Sequence, residues 1–332
     1  MTKILLAFDD GVISHEQQRE VRRLAPQLPL VQTADKEFIE SIVGDIEIAV
    51  GNFPYDLLPE AKQLRWFQQW SAGADWLLDH PEVQELPFVL TNASGVHAIP
   101  ISEHVIAILL SFGRNLPQAW RAQQQRIWMQ EGGDEQRAEL KHYTRNDTFE
   151  IAGKTMLLIG VGEIGERTAK IAQALEMEVL ALRHNPKHQS PQVDETVGAD
   201  ELLEILPKAD VIVSTVPLTK ATHHMLDARA FDAMKAGALF INIGRGPTVD
   251  EQALIAALQS GKLGGAGLDV FEEEPLSTDS PLWAMENVLI TPHSSGVTPA
   301  YNNRAFALFL ENLERYLAGE ELKNVVDKKQ GY

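Results

Sequence analysis

A chain of 332 residues with 44% hydrophobic side chains is long enough for two domains, each with its own core. Its 29 basic and 47 acidic residues leave a formal net charge of -18. That field repels nucleic acid and anionic lipid, and it suits a soluble cytoplasmic protein or one from a saline habitat. No cysteine is present, which excludes disulfides, thiolate nucleophiles and cysteine-ligated metals. Met1 to Ala7 is too short for a signal segment, and the longest apolar run, Val105 to Leu110, is far below membrane-spanning length. The expected setting is cytoplasmic, with no membrane contact.

Ile4 to Phe8 reads as a first strand, closed by the Asp10-Gly11 turn signal. Ser14 and Gln17 have the spacing of a capping box for a helix to about Leu24, ended by Pro26 and Pro29. Short strands follow at Leu30-Gln32, Ile46-Gly51, Arg65-Gln69 and Phe88-Leu90. Ile101 to Phe112 is apolar on most faces, as a buried helix between two domains would be. Leu116 to Gln130 reads as another helix, and the polar stretch from Glu131 to Asp147 as a loop or extended arm.

From Lys154 the rhythm changes to strict alternation of strand and helix. Strands are expected at Met156-Ile159, Val179-Leu182, Val211-Val216, Leu239-Ile243, Ala266-Val270 and Val288-Ile290. Their non-alternating apolar character suits a parallel sheet covered on both faces. The helices between them lie near Ile164-Leu175, Glu201-Leu206, Asp227-Met234 and Asp250-Gln259. A last helix spans Pro299 to Ala318, with Gly319 as its stop.

Between the first of these strands and its helix, Gly160, Gly162 and Gly165 supply G-x-G-x-x-G. Strand, glycine turn and helix in that order form the dinucleotide-binding fingerprint, with a pyrophosphate on the helix N-terminus. In an NAD site an acidic residue near the tip of the next strand accepts from the ribose 2′-OH. Arg183 stands there instead, followed by His184 and Lys187. Arginine cannot accept that bond, but its fork of donors matches a 2′-phosphate, so NADP(H) is the expected cofactor, with NAD(H) also possible. Three ionisable residues then follow successive strands: Arg245 in N-I-G-R-G, Glu274 in E-E-E-P and His293 in T-P-H-S-S-G. Ligands of open α/β sheets bind beyond the carboxyl ends of the strands, so all three point to one rim.

With Gly160 to Gly165, the Val216-Pro217-Leu218-Thr219 turn, Phe240 to Arg245, Gly267 to Phe271, Glu274-Pro275-Leu276 and Val288 to His293 in this order, the chain resembles the D-isomer-specific 2-hydroxyacid dehydrogenases over nearly its whole length. Within that family it looks nearest to the glyoxylate and hydroxypyruvate reductases. The resemblance implies an α/β protein with a Rossmann dinucleotide-binding domain, residues 100–295, inserted in a smaller flavodoxin-like substrate domain, residues 1–99 and 296–332. It implies that His293, paired with Glu274, donates a proton while Arg245 holds the substrate. It implies that Ala72 and Gly73 offer backbone N–H groups to the substrate carboxylate. Cofactor contacts carried over with it are Gly160, Gly162, Glu163, Ile164, Gly165, Arg183, His184, Val216, Pro217, Thr222, Ile243, Gly244, Arg245, Asp269, His293 and Ser295, with Asp269 on the nicotinamide carboxamide. Substrate contacts are Ala72, Gly73, Arg245 and His293, and no metal is involved.

The implied reaction is NADPH-dependent reduction of a small 2-oxoacid to the D-2-hydroxyacid, in a homodimer joined through the cofactor domain. Alternatives are an NAD(H)-preferring dehydrogenase acting on another substrate, or a cofactor-sensing binding protein of the same fold. Formate dehydrogenases share the fold but carry an amide where Glu274 stands. His104 reads as a packing or domain-contact residue, His223-His224 as the exposed start of a helix, and Glu272 and Glu273 as solvated.

Overall fold

The structure is a computed structural model, and it describes residues 1–128 and 148–331. The chain divides into two compact units, Met1–His97 with Val297–Tyr332, and Ala98–Gly296. The expected arm at Glu131 to Asp147 lies outside the described residues.

In the first unit, β1 (Lys3–Ala7), β2 (Leu30–Gln32), β3 (Ile46–Gly51), β4 (Trp66–Gln69) and β5 (Val89–Thr91) form a parallel sheet in the order β2-β1-β3-β4-β5. This is the flavodoxin-like order. Successive side chains of a strand point to opposite faces, and the core divides accordingly. Leu5, Ala7, Ala49, Phe67 and Leu90 join one cluster, while Ile4, Leu6, Ile48, Val50 and Trp66 join the other. Helices α1 (His15–Leu24) and α2 (Lys36–Ile42) connect the early strands. The Ser14–Gln17 capping box forms at the start of α1. The C-terminal helix, Tyr301–Ala318, adds Phe306, Phe309 and Leu313 to the second cluster. It ends at Gly319 with φ 71°, where a left-handed residue closes the last turn.

The second unit opens with α3 (Ala98–Gly113), which takes Pro100 into its first turn, and α4 (Leu116–Gln124). The second helix ends earlier than its composition suggests, because the chain turns at Arg126 with φ 58°. Strands β6 (Thr155–Ile159), β7 (Glu178–Arg183), β8 (Glu195–Gly198), β9 (Val211–Ser214), β10 (Ala238–Asn242), β11 (Leu263–Leu268) and β12 (Val288–Ile290) follow. They lie in the order β12-β11-β10-β9-β6-β7-β8, and every pairing is parallel. Helices α5 (Glu163–Ala174), α6 (Leu202–Ile205), α7 (Ala228–Ala233) and α8 (Glu251–Gln259) complete the alternation.

This is the doubly wound Rossmann order, whose strand order reverses between β6 and β9. The crevice at that switch point is where such sheets bind dinucleotides. Two details depart from expectation. The strand expected to reach Val216 ends at Ser214, and Thr215 and Val216 lie close against Gly160. A seventh strand, β8, occupies the sheet edge. Among the described residues no helix is long and apolar enough to cross a membrane.

Candidate active site

The glycine turn fits a pyrophosphate. A Cβ at Gly160 would lie 2.9 Å from the Thr215 hydroxyl and 3.0 Å from a Val216 methyl, and one at Gly165 would lie 2.8 Å from the Gly160 carbonyl. Those two glycines permit the tight turn and the close approach of helix to strand. At Gly162 a Cβ would meet nothing within 4 Å, so open space lies over the start of α5. Gly162 caps that helix without a side-chain hydrogen bond, so the first-turn N–H groups, those of Glu163 and Ile164 included, remain for an anion.

Beside this turn, Val216 and Pro217 follow β9. The Thr222 hydroxyl donates to the Pro217 carbonyl at 2.7 Å and accepts from the Thr219 N–H at 2.8 Å, closing the loop. Gly244, after buried Ile243, sits where a Cβ would fall 2.7 Å from the Val216 carbonyl. Arg183 ends β7, and its guanidinium donates to the carbonyls of His188, at 2.8 Å, and Val161. The Glu166 carboxylate lies 3.6 Å from it. His184 and Lys187 are exposed.

Arg245, Glu274 and His293 follow β10, β11 and β12, three neighbours in the sheet. His293 Nδ1 is 2.7 Å from Glu274 Oε2. An ionised carboxylate only accepts, so Nδ1 donates, and Nε2 is left as the nitrogen that exchanges a proton. Glu274 is fixed in turn, because its Oε1 accepts from the Phe271 N–H at 3.0 Å. His293 has φ 50°, in the left-handed region that a non-glycine residue occupies at a cost. Its N–H donates to the Asp269 carbonyl at 2.8 Å, which holds it there.

Asp269 organises the same rim. Its fully buried carboxylate accepts from the Ser294 N–H at 2.8 Å, the Ser295 N–H at 3.0 Å and the Thr291 hydroxyl at 2.6 Å. Burial pushes this carboxyl upward, but the Ser295 side chain, the Thr291 hydroxyl and the two backbone N–H groups outweigh it and hold it below the usual carboxylate range. The Thr291 hydroxyl is also 3.2 Å from His104 Nε2 on α3. His104 is thus part of a polar chain as well as a packed residue. The polar contacts of Thr291 with His104 and Asp269 escaped the sequence reading. A buried aspartate must find donors, and the threonine between β12 and His293 was the available signal.

Two further differences concern the neighbouring loops. His223 and His224 lie in a turn, and α7 begins only after Asp227, whose side chain caps it. His224 Nε2 is 2.7 Å from Glu272 Oε1. Glu272 is exposed but engaged, since its N–H donates to the Glu251 carboxylate at 3.2 Å and its own carboxylate accepts from the Glu251 N–H at 3.4 Å. Ala72 and Gly73 belong to the other unit, in the loop after β4. No cluster of side chains able to hold a metal occurs among the described residues.

Comparison with known proteins places this architecture. The family model for the NAD binding domain of D-isomer specific 2-hydroxyacid dehydrogenases matches residues 106–295. The chain belongs to that family. It is 32% identical over 328 residues to a glyoxylate/hydroxypyruvate reductase B of Escherichia coli strain SMS-3-5, covering 97% of this chain and 96% of that one. It is also 32% identical over 275 residues to a D-3-phosphoglycerate dehydrogenase of Methanocaldococcus jannaschii, where the match takes in 82% of this chain and 49% of the relative. It thus spans about half the length of that relative. Among solved structures, an NADPH-dependent glyoxylate/hydroxypyruvate reductase of Sinorhizobium meliloti, in complex with NADP and sulfate, superposes with a TM-score of 0.80 at 27% identity, over 100% of both chains.

Proposed function

We propose that this protein reduces a small 2-oxoacid, of the glyoxylate or hydroxypyruvate kind, to the D-2-hydroxyacid with NADPH. The observation that carries the reading is the His293–Glu274 pair at 2.7 Å, on a rim shared with Arg245. The nicotinamide, when bound, supplies the hydride. His293 gives a proton from Nε2 to the carbonyl oxygen, and Glu274 fixes the ring through Nδ1. Arg245, always charged, holds the substrate carboxylate and polarises the carbonyl. The N–H groups of Ala72 and Gly73 would donate to a substrate carboxylate, and Asp269 would hold the nicotinamide carboxamide. Arg183 and Lys187 would hold the 2′-phosphate of a bound NADPH.

The test is turnover of glyoxylate and hydroxypyruvate with each cofactor, read by nicotinamide absorbance. NADPH is expected to give the higher kcat/KM, and a preference for NADH would remove the role given to Arg183. His293→Ala is expected to lower kcat by about 10² to 10⁴ while NADPH binds as before. Unchanged turnover would sink the mechanism, and no turnover of any 2-oxoacid by the parent protein would favour a cofactor-sensing role. NADH use is a second reading with one observation behind it: Arg183 is already bonded to two carbonyls and close to Glu166, an arrangement that a cofactor without the 2′-phosphate leaves undisturbed.

A further inference from the structure

The loop after β4 carries an arrangement that its small residues do not explain. Four consecutive carbonyl oxygens, from Trp70 to Gly73, each accept a hydrogen bond from a side chain. Tyr301 Oη donates to the Trp70 carbonyl. Gln69 Nε2 donates to the Ser71 carbonyl at 3.0 Å, to the Ser71 hydroxyl at 2.8 Å and to the Gly73 carbonyl. Asn92 Nδ2 donates to the Ala72 carbonyl at 2.8 Å. The Ala93 N–H adds a second bond to the Ser71 carbonyl at 3.0 Å.

Chemistry fixes the orientation of both amides. Gln69 Oε1 accepts from the Trp76 indole N–H at 2.7 Å, and an indole can only donate. Asn92 Oδ1 accepts from the Ser94 N–H at 3.0 Å, which likewise can only donate. The NH₂ groups must therefore face the loop carbonyls. Gln69 and Asn92 are 1% and 7% exposed, so these bonds are shielded from water. Tyr301 stacks on His97 at 4.5 Å, and burial pushes its hydroxyl up to about 12, which keeps it a donor at any working pH.

In a trans peptide the C=O of one residue and the N–H of the next point opposite ways. Holding the Ser71 carbonyl therefore aims the Ala72 N–H, and holding the Ala72 carbonyl aims the Gly73 N–H. Among the described residues no protein group accepts from either N–H. The side chains anchor the loop carbonyls and leave the two adjacent N–H groups of Ala72 and Gly73 as donors for an anion.

We propose that Gln69, Asn92 and Tyr301 are positioning residues that set the Ala72 and Gly73 N–H groups for the substrate carboxylate. The inference rests on the reading of this loop as a carboxylate contact and adds which residues make it one. Pre-oriented donors cost no reorganisation when the anion arrives, so the effect belongs to substrate binding.

The experiment uses the full chain with Gln69→Met, which removes the donors without adding charge, and Tyr301→Phe, which changes one hydroxyl. The readouts are KM and kcat for glyoxylate at saturating NADPH, the inhibition constant of oxalate, the NADPH dissociation constant and the melting temperature. Expected are a roughly tenfold rise in glyoxylate KM and in the oxalate constant, kcat within about twofold, and unchanged NADPH affinity. A lowered melting temperature with glyoxylate KM and oxalate inhibition unchanged would overturn the proposal and leave these residues purely structural. If Gln69→Met does not fold, Tyr301→Phe decides by the same criteria. Ala72→Pro, which deletes one N–H, separates the two levels. If it leaves glyoxylate KM unchanged, the carboxylate reading itself fails and the positioning roles go with it. If it raises KM while neither side-chain variant does, only the positioning roles fall.

Discussion

Asp269 shows how a single buried carboxylate can hold the rim of strand ends in shape. It orders Thr291, Ser294 and Ser295, while its own carbonyl fixes the backbone of His293. Because its folded value lies below the ordinary one, ionised Asp269 contributes stability that is complete above the unfolded value and is lost as pH falls through the folded one. Asp269→Asn should therefore lower unfolding free energy by about 2–4 kcal/mol near neutrality, by leaving donors poorly paired. The gap between the two proteins should hold from about pH 8 to 5 and narrow below about pH 4. Denaturant titrations across that range check it. A gap that stays constant to pH 3 would mean that the carboxylate charge does not hold these donors. At this scale Arg245, Glu274 and His293 were legible in sequence, because each follows a strand and so shares an edge with the others. The link from His104 through Thr291 to Asp269 was not, since a contact between a helix and a distant strand end leaves no local signature.

Among the elements, α3 and β11 meet closely enough to be tested by one methyl group. A Cβ at Gly267 would lie 2.4 Å from an Ile108 side-chain carbon. Ile108 and its neighbours Val105 and Leu109 belong to the cluster covering one sheet face. Gly267→Ala should cost about 1–3 kcal/mol, with melting as the readout, because the added atom forces an Ile108 rotamer change or a helix shift. Ile108→Ala costs stability alone, through the cavity it leaves. Combined with Gly267→Ala it should cost less than the sum, because the new methyl group takes up vacated space. Simple additivity would show that the two positions do not share that space. Strands with continuous apolar runs could be read from sequence, and their limits moved by a few residues. β8 could not, because Glu-Thr-Val-Gly is short and half polar, as suits a sheet edge that must discourage further pairing.

For the whole chain the excess of acid sets the response to salt. A net charge of -18 opposes compactness through self-repulsion. Raising ionic strength from about 0.01 to 0.15 M shortens the screening length from about 30 to 8 Å. The melting temperature should rise by a few degrees, and a flat or falling trend would show that local ion pairs such as Lys208–Glu195 and Lys323–Glu311 outweigh the net field. The second unit begins at Ala98, well before the change of rhythm at Lys154, because α3 and α4 join it ahead of its sheet. The discontinuity of the first unit came through resemblance, since nothing local in the last helix says which sheet receives it.

That last helix bears on how the protein is made. Phe309 lies against Trp66, with ring centroids 5.6 Å apart, and the Asn312 side chain reaches Gln68 at 3.1 Å. Val325 bridges to Thr91 beside β5. A ribosome delivers the amino end first, and a domain closes when its own residues are available. The five-stranded unit begins the chain, yet it lacks part of its core until the final segment emerges. The nucleotide-binding unit is complete by Gly296, before the C-terminal helix is made. During synthesis the unit that starts first is therefore the one that finishes last. Its early strands wait with apolar surface uncovered, a vulnerable interval that the inserted unit prolongs.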